Sequence, residues 1–223
     1  MLEIRNTKVY DLKESIIACR NAMRLDLPEY TDEEFEKGLE RAKKLVQASK
    51  NGVVKCHDNF LTGIRVSFDL KYTQYITKQF QRYHWFDYVS SSSLMHRLVK
   101  MDPNEMCNKY VSEACIKQLD EDIARYNRIA EWDDFHGATF VLRDGTKLMT
   151  LSKSEALYWA YMKCISDCPM GMELFVRVST NYKQLQTIYF QRKGHKLKED
   201  WGEFLKWIEG LPLAHELIIG DSE

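Results

Sequence analysis

Apolar and polar positions recur along the chain with two periods, and the switches between them mark its elements. LEIRN at residues 2–6 predicts a short strand. Leu12, Ile16, Cys19 and Met23 then fall at helical spacing, so Asp11 to Met23 is expected to be a helix. Thr31-Asp32-Glu33-Glu34 reads as a capping box, in which the threonine hydroxyl accepts from a first-turn amide while Glu34 reaches back. Behind it Phe35, Leu39, Ala42, Leu45 and Val46 form one apolar stripe, which predicts an amphipathic helix over 32–49 closed by Asn51-Gly52. From Leu61 to Tyr72 the period drops to two: Ile64, Val66, Phe68 and Leu70 alternate with Arg65, Ser67, Asp69 and Lys71, the pattern of a half-buried strand.

Helical spacing returns over 73–84 through Tyr75, Ile76, Phe80 and Tyr83. The following run, Trp85 to Ser93, ends in four serines, which offer the backbone competing hydrogen bonds, so a loop or helix start is expected. Asp102-Pro103 opens a helix expected to continue to about Arg128, and turn signals at His136-Gly137 and Asp144-Gly145 place a hairpin at about 131–148. Ser152-Lys153-Ser154-Glu155 is a second capping box, and its helix stops at Pro169. Met172 to Thr180 reads as a strand, Asn181 to Arg192 as a helix, and Trp201, Phe204, Leu205 and Ile208 stripe the last helix. The fold class is therefore α+β: a mainly antiparallel sheet flanked by helices, with a helical N-terminal half, in a single α/β domain over 1–223.

Composition narrows what such a domain does. With 32 Lys+Arg against 33 Asp+Glu the net charge is -1, which lacks the bulk electrostatic footprint of a protein that coats nucleic acid or anionic membrane. Anion binding has to be local. No apolar run approaches the roughly 18 residues of a membrane span, and the first residues lack the apolar core of a secretory signal, so a cytoplasmic protein is expected. The six cysteines, Cys19, Cys56, Cys107, Cys115, Cys164 and Cys168, show neither paired zinc spacing nor the density of a disulfide scaffold, and are read as reduced thiols with no metal. Gly-rich phosphate loops, HExxH and GxSxG are absent, which removes P-loop, zincin and α/β-hydrolase chemistry.

Two polar constellations remain. In the first, Gln79 and Arg82 share a helical face beside Tyr83 and His84, and Ser90, Ser91, Ser92 and Ser93 with Arg97 supply donors of the kind that grip a phosphate. The same residues also suit a capped helix whose arginines bind backbone or carboxylates. In the second, Asn181 and Arg192 lie about three helical turns apart, with Lys183 and Thr187 between them, on a face long enough for a phosphorylated ligand. A solvated face with Asn181 as N-cap fits equally.

The two constellations, in this order, resemble the flavin-dependent thymidylate synthases. Those enzymes carry a Gly-His-containing segment, a strand, a Gln-x-x-Arg-His-Arg helix with a downstream Ser-x-Arg, and an Asn-x-Arg helix ending in Arg then His. Here Cys56-His57-Asp58-Asn59, Val66-Ser67-Phe68, Gln79-Phe80-Gln81-Arg82-Tyr83-His84, and Asn181-Tyr182-Lys183 through Arg192 and His195 follow that order. His57 to His84 and Pro169 to Arg192 fit without gaps. Tyr83 and His84 stand where the family has His and Arg, Lys183 replaces an Arg, the family's Asn-Glu is absent, and Thr62-Gly63 replaces a Glu-His pair.

The resemblance implies a homo-oligomer, a tetramer, with active sites between subunits. It implies FAD held by Arg82, Tyr83, His84, Asn181, Lys183 and Thr187. A pyrimidine nucleotide would be held by Gln79, Ser90, Ser91, Ser92, Ser93, Arg97 and Arg192, with Arg192 also catalytic. Trp85, Phe86 and Tyr83 would wall the flavin. The implied reaction is reductive methylation of dUMP at C5, with NADPH and methylenetetrahydrofolate as co-substrates. Two alternatives stay open: altered specificity, such as a hydroxymethylating variant, and a non-catalytic module that keeps only a pyrimidine-nucleotide pocket.

Overall fold

The computed structural model describes residues 2–50, 57–150 and 152–220. Its elements run β1 (Glu3–Tyr10), α1 (Leu12–Ala18), α2 (Asp32–Lys50), β2 (Arg65–Thr73), α3 (Gln74–Phe80), β3 (Phe86–Ser91), α4 (Leu94–Arg97), α5 (Pro103–Met106), α6 (Glu113–Glu131), β4 (Ala138–Val141), β5 (Lys147–Thr150), α7 (Lys153–Ser166), β6 (Glu173–Asn181), α8 (Tyr182–Arg192) and α9 (Lys198–Glu209). A π-helical turn, His215–Ile219, follows. Two compact units result: the first holds the residues up to Tyr72, Ile76–Ser91 and those from Phe175 on, the second Thr73–Tyr75 and Ser92–Leu174. Among the described residues no helix is long and apolar enough to cross a membrane.

The sheet has strand order β1-β2-β6-β3. β1 pairs antiparallel with β2, and β3 with β6. Backbone bonds from Tyr182 N to Ile64 O and from Gln74 N to Met172 O set β6 antiparallel to β2 as well. The alternation read from β2 holds: Val66, Phe68, Leu70 and Tyr72 are buried. Phe68 meets Phe86 edge-on, and Phe80 stacks on Phe86 at 4.8 Å while also touching Trp201 and Phe204 from α9. This aromatic core anchors α3 and α9 to one face of the sheet. Truncating one such ring to alanine would cost about 3–5 kcal/mol.

On α2, Ala42, Leu45 and Val46 are buried and Gly38 lets the helix approach α1: a Cβ there would lie 2.8 Å from the Ile16 carbonyl oxygen. The Thr31 hydroxyl accepts from the Glu34 amide at 3.2 Å, the expected first half of the capping box. The second half is replaced, because the Glu34 carboxylate pairs with Arg20 and Arg24.

In the second unit Leu98, Leu119, Ile123, Cys164 and Met172 form one cluster, and Ile129, Phe140, Ala156 and Ala160 another. The β4–β5 hairpin lies here. Ser152 caps α7 by accepting from the Glu155 amide.

Three sequence expectations need correction. The first helix is shorter than Asp11–Met23: α1 ends at Ala18, and Asn21–Met23 is a separate 3₁₀ turn. The helix opened by Asp102-Pro103 stops at Met106, where Asn108 turns back to accept from the Tyr110 amide at 3.1 Å, and Ser112 caps a fresh start at Glu113. The segment after Trp85 is strand, not loop: Phe86 and Tyr88 pair with Thr180 and Val178, and cross-strand pairing outweighs serine's local hydrogen bonding through Ser90 and Ser91.

Candidate functional site

β6 runs straight into α8, and the junction is held by Asn181. Its backbone is still extended, and its side-chain oxygen accepts from the Gln184 amide at 2.8 Å, satisfying one of the helix's free N–H groups. Asn181 is therefore a buried N-cap and does not share the outward face of Arg192. The helix ends at Arg192, and Gly194, at φ 78°, takes the left-handed turn that lets His195 N bond back to Arg192 O at 3.0 Å.

Arg192 is the best-held side chain of the region. Its Nε donates to the Tyr83 hydroxyl at 2.6 Å, and its guanidinium lies 5.3 Å from the Tyr83 ring centroid and 4.5 Å from that of Trp201. Burial raises the Tyr83 phenol above its ordinary pKa despite Arg192, so the phenol is neutral and can accept this bond. Trp201 is in turn fixed by its indole N–H, which donates to Gln79 Oε1 at 3.1 Å.

Beside Arg192 opens a cleft of about 600 Å³ lined by Arg82, Tyr83, His84, Gln184, Thr187, Gln191 and Arg192. No carboxylate lines it, and Arg82 and His84 are exposed at its edge. Among the described residues Arg82 has no ion-pair partner. The chemistry of such a lining suits anions with hydrogen-bonding edges. Gln184 Oε1 accepts from the Trp85 amide at 3.2 Å, and the Thr180 hydroxyl donates to Trp85 O at 2.6 Å, which fixes the loop carrying His84. His195 packs edge-on to Trp201, and burial, then the Arg192 and Lys196 charges, lower its pKa.

On the other side of α8, Lys183 Nζ lies 2.5 Å from Asp58 Oδ2 and 3.0 Å from Gln186 Oε1. Asp58 is 1% exposed and sits just before the 3₁₀ turn Asn59–Thr62. Lys183 is thus spent on a buried carboxylate.

The sequence-derived residues divide accordingly. Arg82, Tyr83, His84, Thr187 and Arg192 converge on the cleft. Gln79 reaches it only through Trp201, while Asn181 and Lys183 turn inward. Ser90 lies in a different groove of about 460 Å³ on the sheet, with Arg5, Asp69, Lys71 and Arg177 among its neighbours. Ser91 ends β3; Ser92, Ser93 and Arg97 belong to the second unit, where Ser93 precedes α4 without a side-chain cap bond. Of the three proposed wall rings Phe86 is core and Tyr83 is buried, leaving Trp85, 57% exposed. Cys56 lies outside the described residues.

Sequence reasoning missed Trp201, Gln184, Gln191 and Asp58. Trp201 was legible only as part of an apolar stripe, although a buried indole N–H always asks for an acceptor.

A flavin dinucleotide brings an anionic pyrophosphate and a flat ring. The cleft's cations and the exposed Trp85 ring fit those features, whereas Asn181 and Lys183 do not reach into the space. No protein-family model matches the chain, and no curated protein matches it either. Two solved structures of the flavin-dependent thymidylate synthase ThyX from Helicobacter pylori, both with FAD and dUMP, do share its architecture. One is 15% identical with a TM-score of 0.61 and covers 97% of each chain. The other is 13% identical with a TM-score of 0.61, covering 98% of this chain and 97% of that one. An antiparallel sheet backed by α3 and α9, with α8 running on from β6, is in this chain the fold of a flavin-dependent thymidylate synthase.

Proposed function

We propose that the cleft beside Arg192 binds a deoxyuridine-type monophosphate and that the chain, with FAD, transfers a one-carbon unit to its pyrimidine C5. The observation that carries this reading is the cleft itself: Arg82, His84 and Arg192 around a space with no lining carboxylate. The Helicobacter pylori proteins of this fold were solved with FAD and dUMP.

In this reading Arg192 is the residue at the pyrimidine. Its Nε is already used by Tyr83, so its terminal nitrogens are the donors left for a ring carbonyl, where they stabilise negative charge that develops on the ring. Arg82 and His84 at the rim neutralise phosphate groups of nucleotide or cofactor. Thr187, whose hydroxyl back-bonds to Lys183 O at 3.2 Å, shapes the floor. Bound FAD would supply the redox chemistry, with NADPH as reductant and methylenetetrahydrofolate as the one-carbon source. Assembly into a homo-oligomer, a tetramer by resemblance, would complete the site between subunits, and the protein would work in the cytoplasm.

One observation favours a second reading. Asn181 and Lys183, two of the residues that the resemblance assigns to the flavin, are engaged inside the chain. A relative that keeps the pyrimidine-nucleotide pocket and has lost or altered the flavin chemistry has this arrangement. The experiment that separates the two is gel filtration of the protein with FAD, calorimetric titration with dUMP, and mass spectrometry for thymidylate after incubation with all co-substrates. FAD co-elution, dUMP binding and product support the enzyme. Binding of dUMP by a protein that takes up no FAD supports the module, and no binding of either rejects both. Arg192→Ala should weaken dUMP binding by about 1.5–3 kcal/mol, and should also cost about 1–2 kcal/mol of stability through the lost Tyr83 hydrogen bond and ring contacts.

A further inference from the structure

We infer that Gln79, Tyr83 and Trp201 are positioning residues that act on the nucleotide only through Arg192, with Gln79 touching the indole of Trp201 and not the ligand. The inference rests on the nucleotide reading above and gives Gln79 and Tyr83 different work from the substrate and flavin contacts that the resemblance implies.

Arginine is long and flexible. Its side chain has several rotatable bonds, and an arginine at the end of a helix beside an open cleft would spread over many rotamers, so that a ligand would have to order it at the moment of binding. Here that ordering is done in advance by three contacts from two parts of the chain, two of them from Tyr83. The Tyr83 hydroxyl, in the turn after α3, accepts from Nε at 2.6 Å. The Tyr83 ring lies 5.3 Å from the guanidinium. From α9 the Trp201 ring lies 4.5 Å away, and Trp201 is only 1% exposed. A cation beside two aromatic rings with one nitrogen tied is restricted in rotamer, and its other two nitrogens are restricted in direction.

Trp201 therefore helps to hold the guanidinium, and Gln79 ties the indole N–H while Phe80 and Phe204 pack its ring. The indole N–H is buried and donates to Gln79 Oε1 at 3.1 Å. Replacing that acceptor by an apolar side chain leaves the N–H unpaired or turns the indole. His195 closes the cluster with its ring centroid 5.9 Å from that of Trp201 and its Nδ1 accepting from the Leu197 amide at 3.1 Å. Because Nδ1 accepts, the neutral ring carries its proton on Nε2 and adds no charge beside Arg192.

The test is a double-mutant cycle combined with a ligand-free readout. Gln79→Leu and Tyr83→Phe should each weaken dUMP binding roughly 3–10-fold, and Gln79→Glu, which restores an acceptor, should recover most of the loss. In an Arg192→Ala background neither substitution should weaken binding further, because the residue they act through is gone. Additive losses would mean direct contact with the nucleotide and would overturn the relay. In the free protein, the NMR signal of the Arg192 Nε–H should be protected from exchange with water, and Gln79→Leu should abolish that protection. If wild-type protein binds no dUMP yet shows this loss of protection, the relay stands and the nucleotide reading falls. An Nε–H indifferent to Gln79→Leu refutes the relay whatever the protein binds. Tyr83→Phe keeps the ring and its packing, and carries the same cycle if Gln79→Leu fails to fold.

Discussion

Asp58 and Lys183 stand 125 positions apart in the chain and meet at 2.5 Å, tying the turn before β2 to the first turn of α8. Asp58 is 1% exposed and Lys183 about one-third exposed, so the pair straddles the boundary between interior and solvent. Its second carboxylate oxygen is buried with no hydrogen-bond partner among the described residues.

That asymmetry makes a prediction for Lys183→Met. Removing the lysine strands a buried carboxylate, and stability should fall by about 3 kcal/mol, the low end for a broken buried pair because Lys183 is partly exposed. Asp58→Asn added to Lys183→Met should return much of it. The check is urea denaturation of the four proteins of the cycle. If Lys183→Met instead leaves stability unchanged and lowers FAD affinity, Lys183 is a cofactor ligand after all.

Asn181→Ala should cost about 1 kcal/mol, since the Gln184 amide loses its cap. Asn181→Ser should cost far less, because a serine hydroxyl serves the same amide. Thermal unfolding of both variants decides between a cap and a ligand-binding amide.

Two helical glycines should respond with opposite signs to alanine. At Gly38 the new Cβ would sit 2.8 Å from a backbone carbonyl that has no rotamer to escape into, so overpacking of about 1–3 kcal/mol outweighs the helix-propensity gain. At Gly202, in α9, a Cβ meets nothing within 4 Å, and Gly202→Ala should stabilise by about 1 kcal/mol. Melting temperatures moving in the same direction would contradict this packing account.

Alkaline pH should erode stability in a defined window. Burial raises the Cys164 thiol from its ordinary 9.0 to about 11. The unfolded chain ionises first, so the contribution of the neutral buried thiol is intact below 9.0 and lost as pH climbs through about 11. Cys107 and Cys19, raised to about 11 by burial, add in the same direction. Denaturation midpoints across that range should fall, and less steeply in Cys164→Ala.

Periodicity located most elements because burial on one face is a local property of the pattern: the alternation in β2 survives folding, and of the α2 stripe Ala42, Leu45 and Val46 are buried while Phe35 and Leu39 stay half-buried. Local chemistry located the caps at Thr31, Ser152 and Asn181. Long-range partners were out of reach. Nothing near Lys183 announces Asp58, nothing near Gln79 announces Trp201, and the serines after Tyr88 read as a loop because their strand partner lies in β6. The site was legible as a set of residue types, and its division into cleft-facing Arg82 and Arg192 and inward-facing Asn181 and Lys183 came only from tertiary pairing.

The pairing of Ser91 with Val176 in the sheet carries a kinetic consequence. β3 and β6 are neighbours, yet the chain between them makes a long excursion through residues 92–174, and closing so long a loop before any contact rewards it is slow. That excursion has its own clusters around Leu119 and Phe140, and its far end is pinned by Asn108 N to Gly171 O and by Gln74 N to Met172 O. Prior collapse of this segment shortens the effective loop that must close before β3 and β6 pair. The order of assembly that follows is segment first, sheet edge second.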